Sequence, residues 1–181
     1  EIAEPMATPA VDDDRVYGLS KDGTLFCLSS ASGKRLWTKN LESDFEAEEP
    51  YYGWATSPVV EGELILLNVN DAGIALNKRT GKPIWISSTD PSHRPARRGY
   101  YATPVLCDFE GARCALFFGP SELSAVETAT GKRLWSYTHK ESSHPIADPV
   151  VSGKQVFIAR PISILVELSQ PEPRVIWSNM E

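Results

Sequence analysis

Apolar residues fall in short runs along this chain, and each run is closed by a turn-forming cluster. The first runs are Pro9-Ala10-Val11, Arg15-Val16-Tyr17-Gly18-Leu19, Thr24-Leu25-Phe26-Cys27-Leu28 and Arg35-Leu36-Trp37 with Thr38. Runs of this length predict four short strands. Asp12-Asp13-Asp14, Lys21-Asp22-Gly23 and Ala31-Ser32-Gly33 separate them, and Asp and Gly accept the tight or left-handed backbone of a hairpin. The pattern recurs in Val59-Val60, Leu64 to Val69 and Ile74-Ala75-Leu76, punctuated by Glu61-Gly62, Asp71-Ala72-Gly73 and Thr80-Gly81. No stretch sustains a 3.6-residue period and the chain carries 14 prolines, so helices are not expected.

The strand pattern is a repeat. Thr8-Pro9, Ser57-Pro58, Thr103-Pro104 and Asp148-Pro149 each open a unit, at spacings of 49, 46 and 45 residues. Three units close on Gly33-Lys34-Arg35-Leu36-Trp37, Gly81-Lys82-Pro83-Ile84-Trp85 and Gly131-Lys132-Arg133-Leu134-Trp135; the fourth keeps Trp177 and loses the Gly-Lys. Each Trp follows its opening pair by 29, 28, 32 and 29 residues. A four-stranded antiparallel unit of this length, repeated, predicts an all-β fold, a β-propeller of four blades at residues 8–42, 56–89, 102–138 and 147–178. The strand after each Thr/Ser-Pro pair is expected innermost, and the Trp strand outermost with its indole between blades. Four blades are expected to form part of a larger ring of about seven or eight.

Composition narrows the function classes. The chain has 181 residues and 20.0 kDa, with 41% hydrophobic and 23% charged residues, which fits a folded globular protein and excludes a disordered one. No apolar run approaches the roughly 18 to 20 residues of a membrane helix. A formal charge of −6 has the wrong sign for a nucleic-acid binder. The segment from Glu1 to Val11 lacks the basic and apolar regions of a signal peptide, so any export label is expected upstream.

Asp22-Gly23-Thr24-Leu25-Phe26-Cys27-Leu28 followed by Gly33-Lys34-Arg35-Leu36-Trp37 resembles the repeat of the pyrroloquinoline quinone (PQQ)-like propeller family. Thr80-Gly81-Lys82-Pro83-Ile84-Trp85 and Thr130-Gly131-Lys132-Arg133-Leu134-Trp135 match the same motif, and Tyr52 to Val60 is similar to the BamB-like, PQQ-binding-like repeat proteins of bacteria. The resemblance covers essentially the whole chain. It implies a structural role for Gly33, Trp37, Gly81, Trp85, Gly131, Trp135 and Trp177, as a tryptophan-docking girdle that clips each blade to the next. It also implies an extracytoplasmic place, in the periplasm or cell envelope.

Two functions follow from the resemblance. The favoured one is a non-catalytic scaffold of the bacterial cell envelope that binds a protein partner and the remaining blades of its ring, without a cofactor. The alternative is part of a quinoprotein dehydrogenase that oxidises alcohols or sugars through PQQ and Ca²⁺. Enzymes of that kind hold the ion with Glu and Asn oxygens, use an Asp base, and often carry a disulfide of adjacent cysteines, whereas no two cysteines are adjacent here. Asn68, Asn70 and Asp71 are the weak candidates for a metal, since Ca²⁺ takes such oxygens, although Asn and Asp are also ordinary turn formers. No nucleophile-elbow sequence supports a hydrolase.

Loops carried by rigid blades are where binding residues are expected. One connector holds Glu42, Asp44, Glu46, Glu48 and Glu49 before Tyr51 and Tyr52; another holds His93, Arg94, Arg97 and Arg98 before Tyr100 and Tyr101. These loops either pair with each other or present a charged, aromatic rim. Tyr51, Tyr52, Trp54, Arg97, Arg98, Tyr100 and Tyr101 are the candidate partner contacts, with packing between blades the alternative for Trp54 and Tyr101. His139, Lys140 and His144 occupy a third connector, without a convincing third metal ligand.

The cysteines are read individually. Cys27 aligns with Ala75 and Ala125, so a small buried residue is expected, with no basic neighbour to activate it. Cys107 and Cys114 face each other across a hairpin turned at Glu110-Gly111, in a hydrogen-bonded pair whose wider Cα spacing disfavours a disulfide. Counting back from Trp177 puts Glu167 at the small-residue position, and a shift of register at the shortened, proline-laden turn Gln170-Pro171-Glu172-Pro173 is expected to relieve it.

Overall fold

A computed structural model describes residues 6–70, 72–87, 100–139, 145–159, 163–169 and 173–179. Its strands form four antiparallel sheets of four strands, each in simple up-and-down order. The first blade holds β1 (Ala10–Asp12), β2 (Arg15–Leu19), β3 (Thr24–Ser29) and β4 (Arg35–Asn40). The second holds β5 (Val59–Glu61), β6 (Leu64–Leu67), β7 (Ile74–Asn77) and β8 (Pro83–Ile86). The third holds β9 (Val105–Phe109), β10 (Ala112–Phe118), β11 (Glu122–Glu127) and β12 (Arg133–Thr138), and the fourth β13 (Val150–Ser152), β14 (Gln155–Ile158), β15 (Ile164–Glu167) and β16 (Arg174–Ser178).

The first hairpin of every blade turns on two residues, and the first of these has positive φ: Asp13 at 50°, Gly62 at 55°, Glu110 at 49° and Gly153 at 58°. Such turns match the twist of the strands they join, which fixes the register of each blade from its first hairpin. The first strands of neighbouring blades approach each other, β1 with β5 and β9 with β13, so they lie on the inner side. There the Thr8 amide donates to Ser57 Oγ at 2.9 Å, and the Thr103 amide to Asp148 Oδ1 at 2.6 Å. Ser57 and Asp148, each before a blade-opening proline, thus clip blade two to blade one and blade four to blade three.

Alternate residues of each strand face opposite neighbours, and the cores lie between blades. Tyr17, Leu25 and Cys27 pack with Ile65, Leu67, Ile74 and Leu76 between blades one and two. Leu66 and Ala75 meet Ala115, Phe117 and Val126 at the next junction. Leu116, Phe118 and Ala125 meet Val156, Ile158, Ile164 and Val166 at the third. A strand such as β6 is therefore apolar on both faces, which explains its unbroken Leu64-Ile65-Leu66-Leu67.

Two expectations need correcting. One helical turn does form, α1 (Leu41–Phe45), too short to show a period. The Asn40 side chain accepts from the Glu42 and Ser43 amides, Asp44 Oδ2 accepts in return from the Asn40 amide, and Glu46 ends the turn at φ 55°. The second correction concerns Cys27, which does have a basic neighbour: Arg15 Nη1 lies 3.8 Å from its sulfur.

The register at Trp177 departs from simple counting. Leu165 faces Trp177, as Cys27, Ala75 and Ala125 face Trp37, Trp85 and Trp135. The last turn is two residues longer than its counterparts, so Glu167 pairs with Arg174, whose Nε lies 3.0 Å from Glu167 Oε2.

Candidate functional site

Each Trp strand carries a bulge at the same place, between Cys27/Leu28, Ala75/Leu76, Ala125/Val126 and Leu165/Val166. The extra residue is Leu36, Ile84, Leu134 or Ile176, directly before the Trp, and a bulge there re-aims the next side chain. Trp37 reaches across to the second blade, where a Cβ on Gly81 would sit 2.9 Å from its ring. Its indole Nε1 donates to the Lys78 carbonyl at 3.1 Å. Trp85 does the same in the third blade: 2.8 Å from a Cβ on Gly131, and 2.8 Å to the Thr128 carbonyl. Trp135 is buried against Phe109, but its Nε1 finds no partner among the described residues. Trp177 lies on Phe157 and is 45% exposed, and among the described residues nothing lies within 4 Å of the position that a Cβ on Gly33 would take.

Sequence reasoning did not name the carbonyl acceptors or the ion pairs beside them. Lys78 Nζ lies 2.6 Å from Asp12 Oδ2 of the first blade, and Arg113 Nε lies 2.8 Å from Glu61 Oε1 of the second. The signal for them was faint, an acid ending one unit's first strand and a base in a turn or the second strand of the next.

The proposed partner contacts separate into exposed and buried groups. Tyr51 and Tyr52 are 71% and 53% exposed and stack edge to face at 4.8 Å. The Tyr52 amide donates to the Tyr101 hydroxyl at 3.0 Å, which joins the rim to the third blade. Tyr101 is buried, and Tyr100 lies against Gly119. Trp54 is 1% exposed and packs with Leu41 and Phe45 against the first blade, so its ring faces no partner. A cavity of about 520 Å³ opens beside the tyrosines, lined by Glu42, Ala47, Glu48, Glu49, Pro50 and Tyr51. Arg97 and Arg98, with His93 and Arg94, lie outside the described residues, as do Asp71, Lys140 and His144. His139 is a core residue, its ring edge-on to Phe118 and its Nε2 3.2 Å from the Gly119 carbonyl.

Of the candidate metal residues, Asn68 has a structural task. Asn68 is buried and its Nδ2 donates to the Ala102 and Phe118 carbonyls, both at 3.0 Å. It is a strut between blades two and three, supported by Thr56 Oγ1 donating to the same Ala102 carbonyl at 3.1 Å. Asn70 is buried at φ 60°. Only one amide oxygen of this pair, Asn68 Oδ1, is buried without a partner. Ca²⁺ takes six to eight oxygens with carboxylates among them, and no cluster of three His, Cys, Asp or Glu fit to hold a metal occurs among the described residues.

All three cysteines are free and buried. Burial pushes the Cys107 thiol up to about 12 from its ordinary 9.0, and raises those of Cys27 and Cys114; at Cys27 burial outweighs Arg15. Burial also pushes the Tyr17 phenol up to about 12 from 10.0. The fold therefore keeps protons that the unfolded chain releases, and stability is complete below about pH 9 and falls as pH rises toward 12. We expect Tm to fall between pH 8 and pH 10.5 with a gentler slope in Cys107→Ala. Native thiols should resist a disulfide reagent at pH 8 and react at once in denaturant. Equal slopes, or prompt native labelling, would refute the burial argument.

A family model described as outer membrane protein assembly factor BamB matches residues 3–181. The quinoprotein ethanol dehydrogenase of Pseudomonas aeruginosa is 26% identical over 134 residues, 69% of this chain and 21% of that protein. BamB of Moranella endobia is 32% identical over 88 residues, 48% of this chain and 20% of that protein. The crystal structure of BamB from Moraxella catarrhalis overlays 99% of this chain and 53% of its own, with a TM-score of 0.75 at 15% identity. The chain thus spans about a fifth of the curated relatives it matches and about half of that crystal structure.

Proposed function

From the premise that the chain belongs to the BamB family of PQQ-like repeat propellers, we propose that it is a non-catalytic scaffold of the bacterial cell envelope. Its four blades are part of a larger ring, and its exposed rim holds a protein partner. The observation that carries the reading is the rim, where Tyr51 and Tyr52 stand exposed beside an acidic cavity. Exposed aromatics next to a charged hollow are the usual anchors of a binding surface, and the acids suit a basic segment. The name of the relatives, an assembly factor for outer membrane proteins, supports both the partner class and an extracytoplasmic place. The alternative is a PQQ- and Ca²⁺-dependent dehydrogenase, favoured by the Pseudomonas relative.

The test pairs two measurements on the protein. Affinity capture from envelope membranes should recover a defined partner that Tyr51→Ala with Tyr52→Ala loses at least tenfold, with the circular dichroism unchanged. Titration of PQQ with Ca²⁺, followed by calorimetry and quinone absorbance, should show no saturable binding. A single saturable Ca²⁺-dependent site would move the protein to the dehydrogenase reading.

A further inference from the structure

The first hairpin of the third blade carries two cysteines in register. Cys107 of β9 pairs directly with Cys114 of β10, so both side chains leave the sheet on the same face. The same place in the other blades is filled by carbon side chains, Ala10 opposite Tyr17, Val59 opposite Leu66 and Val150 opposite Phe157. Cys27 has no cysteine opposite it, since its cross-strand partners are Tyr17 and Trp37. Cys107 and Cys114 belong to the core between blades three and four, with Phe109, Trp135 and Val156. Both are nearly closed to solvent, at 5% and 0% exposure. After burial, the nearness of Cys114 is the next cause that raises the pKa of the Cys107 thiol.

Spacing decides what such a pair can do. Counted from the Glu110-Gly111 turn, Cys107 and Cys114 are a hydrogen-bonded pair, whose Cα atoms lie about 5.5 Å apart. Disulfides span Cα separations of roughly 4.4–6.8 Å, so a bond is within reach. The Cβ atoms, about 4.5–5.5 Å apart in directly opposed pairs, must close to roughly 3.5–4.5 Å. That movement disfavours a permanent bridge and suits a reversible one, because strained disulfides are the more easily reduced.

We propose that Cys107 and Cys114 are a reversible dithiol–disulfide pair, which bridges β9 to β10 by exchange with a disulfide donor such as oxidised glutathione. One cysteine thiolate attacks a sulfur of the donor, forming a mixed disulfide and expelling one donor thiolate. The second cysteine thiolate then attacks the chain's own sulfur in that mixed disulfide, which forms the Cys107–Cys114 bond and expels the second donor thiolate. Two protons pass from the cysteines to the donor thiolates, and the donor takes up the two electrons that the cysteines lose. The structure holds the dithiol form. There the thiols share their core with Val156, Ile158 and Val166 of the fourth blade, so exchange waits for this junction to open. The inference rests on the hairpin and not on what the rim holds.

A glutathione redox buffer tests it. The protein is brought to equilibrium from reduced and from oxidised starting states, both native and in urea above the unfolding midpoint, then quenched with acid, alkylated and digested with trypsin. Trypsin cuts after Arg98, Arg113 and Lys132, so the bridge is read as peptides 99–113 and 114–132 joined through sulfur. We expect the ratio of bridged to dithiol chain to be roughly tenfold higher, or more, in the native protein than in the unfolded one, because a fold that holds two thiols opposite each other favours their bond. Cys27 should be alkylated in both. A ratio no higher in the native protein, glutathione adducts or unchanged thiols in place of the joined peptides, or a bridge that includes Cys27 would each overturn the proposal. Rim capture and PQQ titration read neither thiol, so their outcome and this one are separable.

Discussion

Gly73→Ala is expected to cost about 2–5 kcal/mol, roughly twice the cost of Gly111→Ala, although both glycines have φ 82°. The shared part is backbone strain, about 1–2 kcal/mol for an L-residue held in the left-handed region. The difference is space. A Cβ on Gly111 would meet nothing within 4 Å, whereas on Gly73 it would sit 2.1 Å from Phe117 Cε1. Phe117 is buried and stands edge-on to Trp85 at 6.2 Å, so it cannot yield without opening the junction between blades two and three. Overpacking of this kind adds about 1–3 kcal/mol. Urea unfolding of the two variants gives the comparison, and Phe117→Leu in the Gly73→Ala background should recover part of the loss. Equal losses at both glycines would show that the ring moves freely and that the junction is looser than its contacts indicate.

How much of this was legible in the sequence follows from what repeats. The blades and their strands were legible because each unit restates the same punctuation, and the hairpin at Glu110-Gly111 adopted the register its length dictates. The Trp positions were legible for the same reason. Their acceptors were not, because a backbone carbonyl has no letter: Lys78 and Thr128 share only a place in the turn. The bulge was hidden too, since Leu36, Ile84, Leu134 and Ile176 read as ordinary strand residues until the register shows them unpaired.

The candidate site was legible in outline only. The rim was found through its charges and tyrosines, but exposure divided them, leaving Tyr51 and Tyr52 outside and Trp54 within the first core. Asn68 looked like an oxygen donor because its residue type is one. Its geometry makes it an N–H donor to two carbonyls of the third blade, a role set by neighbours 34 and 50 residues away that no local pattern records. A turn two residues longer misplaced Glu167 by the same two residues. Local motifs carry local facts, and between-blade contacts are long-range by construction.

Trp85→Ala should then be the most informative of the Trp truncations, with an expected loss of about 3 kcal/mol or more. Trp85 contributes its ring to the core shared with Leu66, Ala115 and Val126, lies over Gly131, and donates to Thr128 at 2.8 Å. Trp85→Phe separates these parts: the ring stays, and loss of the indole N–H alone costs about 1 kcal/mol. Trp135→Phe gives the internal comparison, because that indole nitrogen has no acceptor among the described residues and its removal should cost nothing or even stabilise. The pair of Phe variants therefore decides whether the clip works through the carbonyl or through ring contact alone. A Trp85→Phe loss no greater than that of Trp135→Phe, read from the shift of the urea midpoint, would assign the grip to packing.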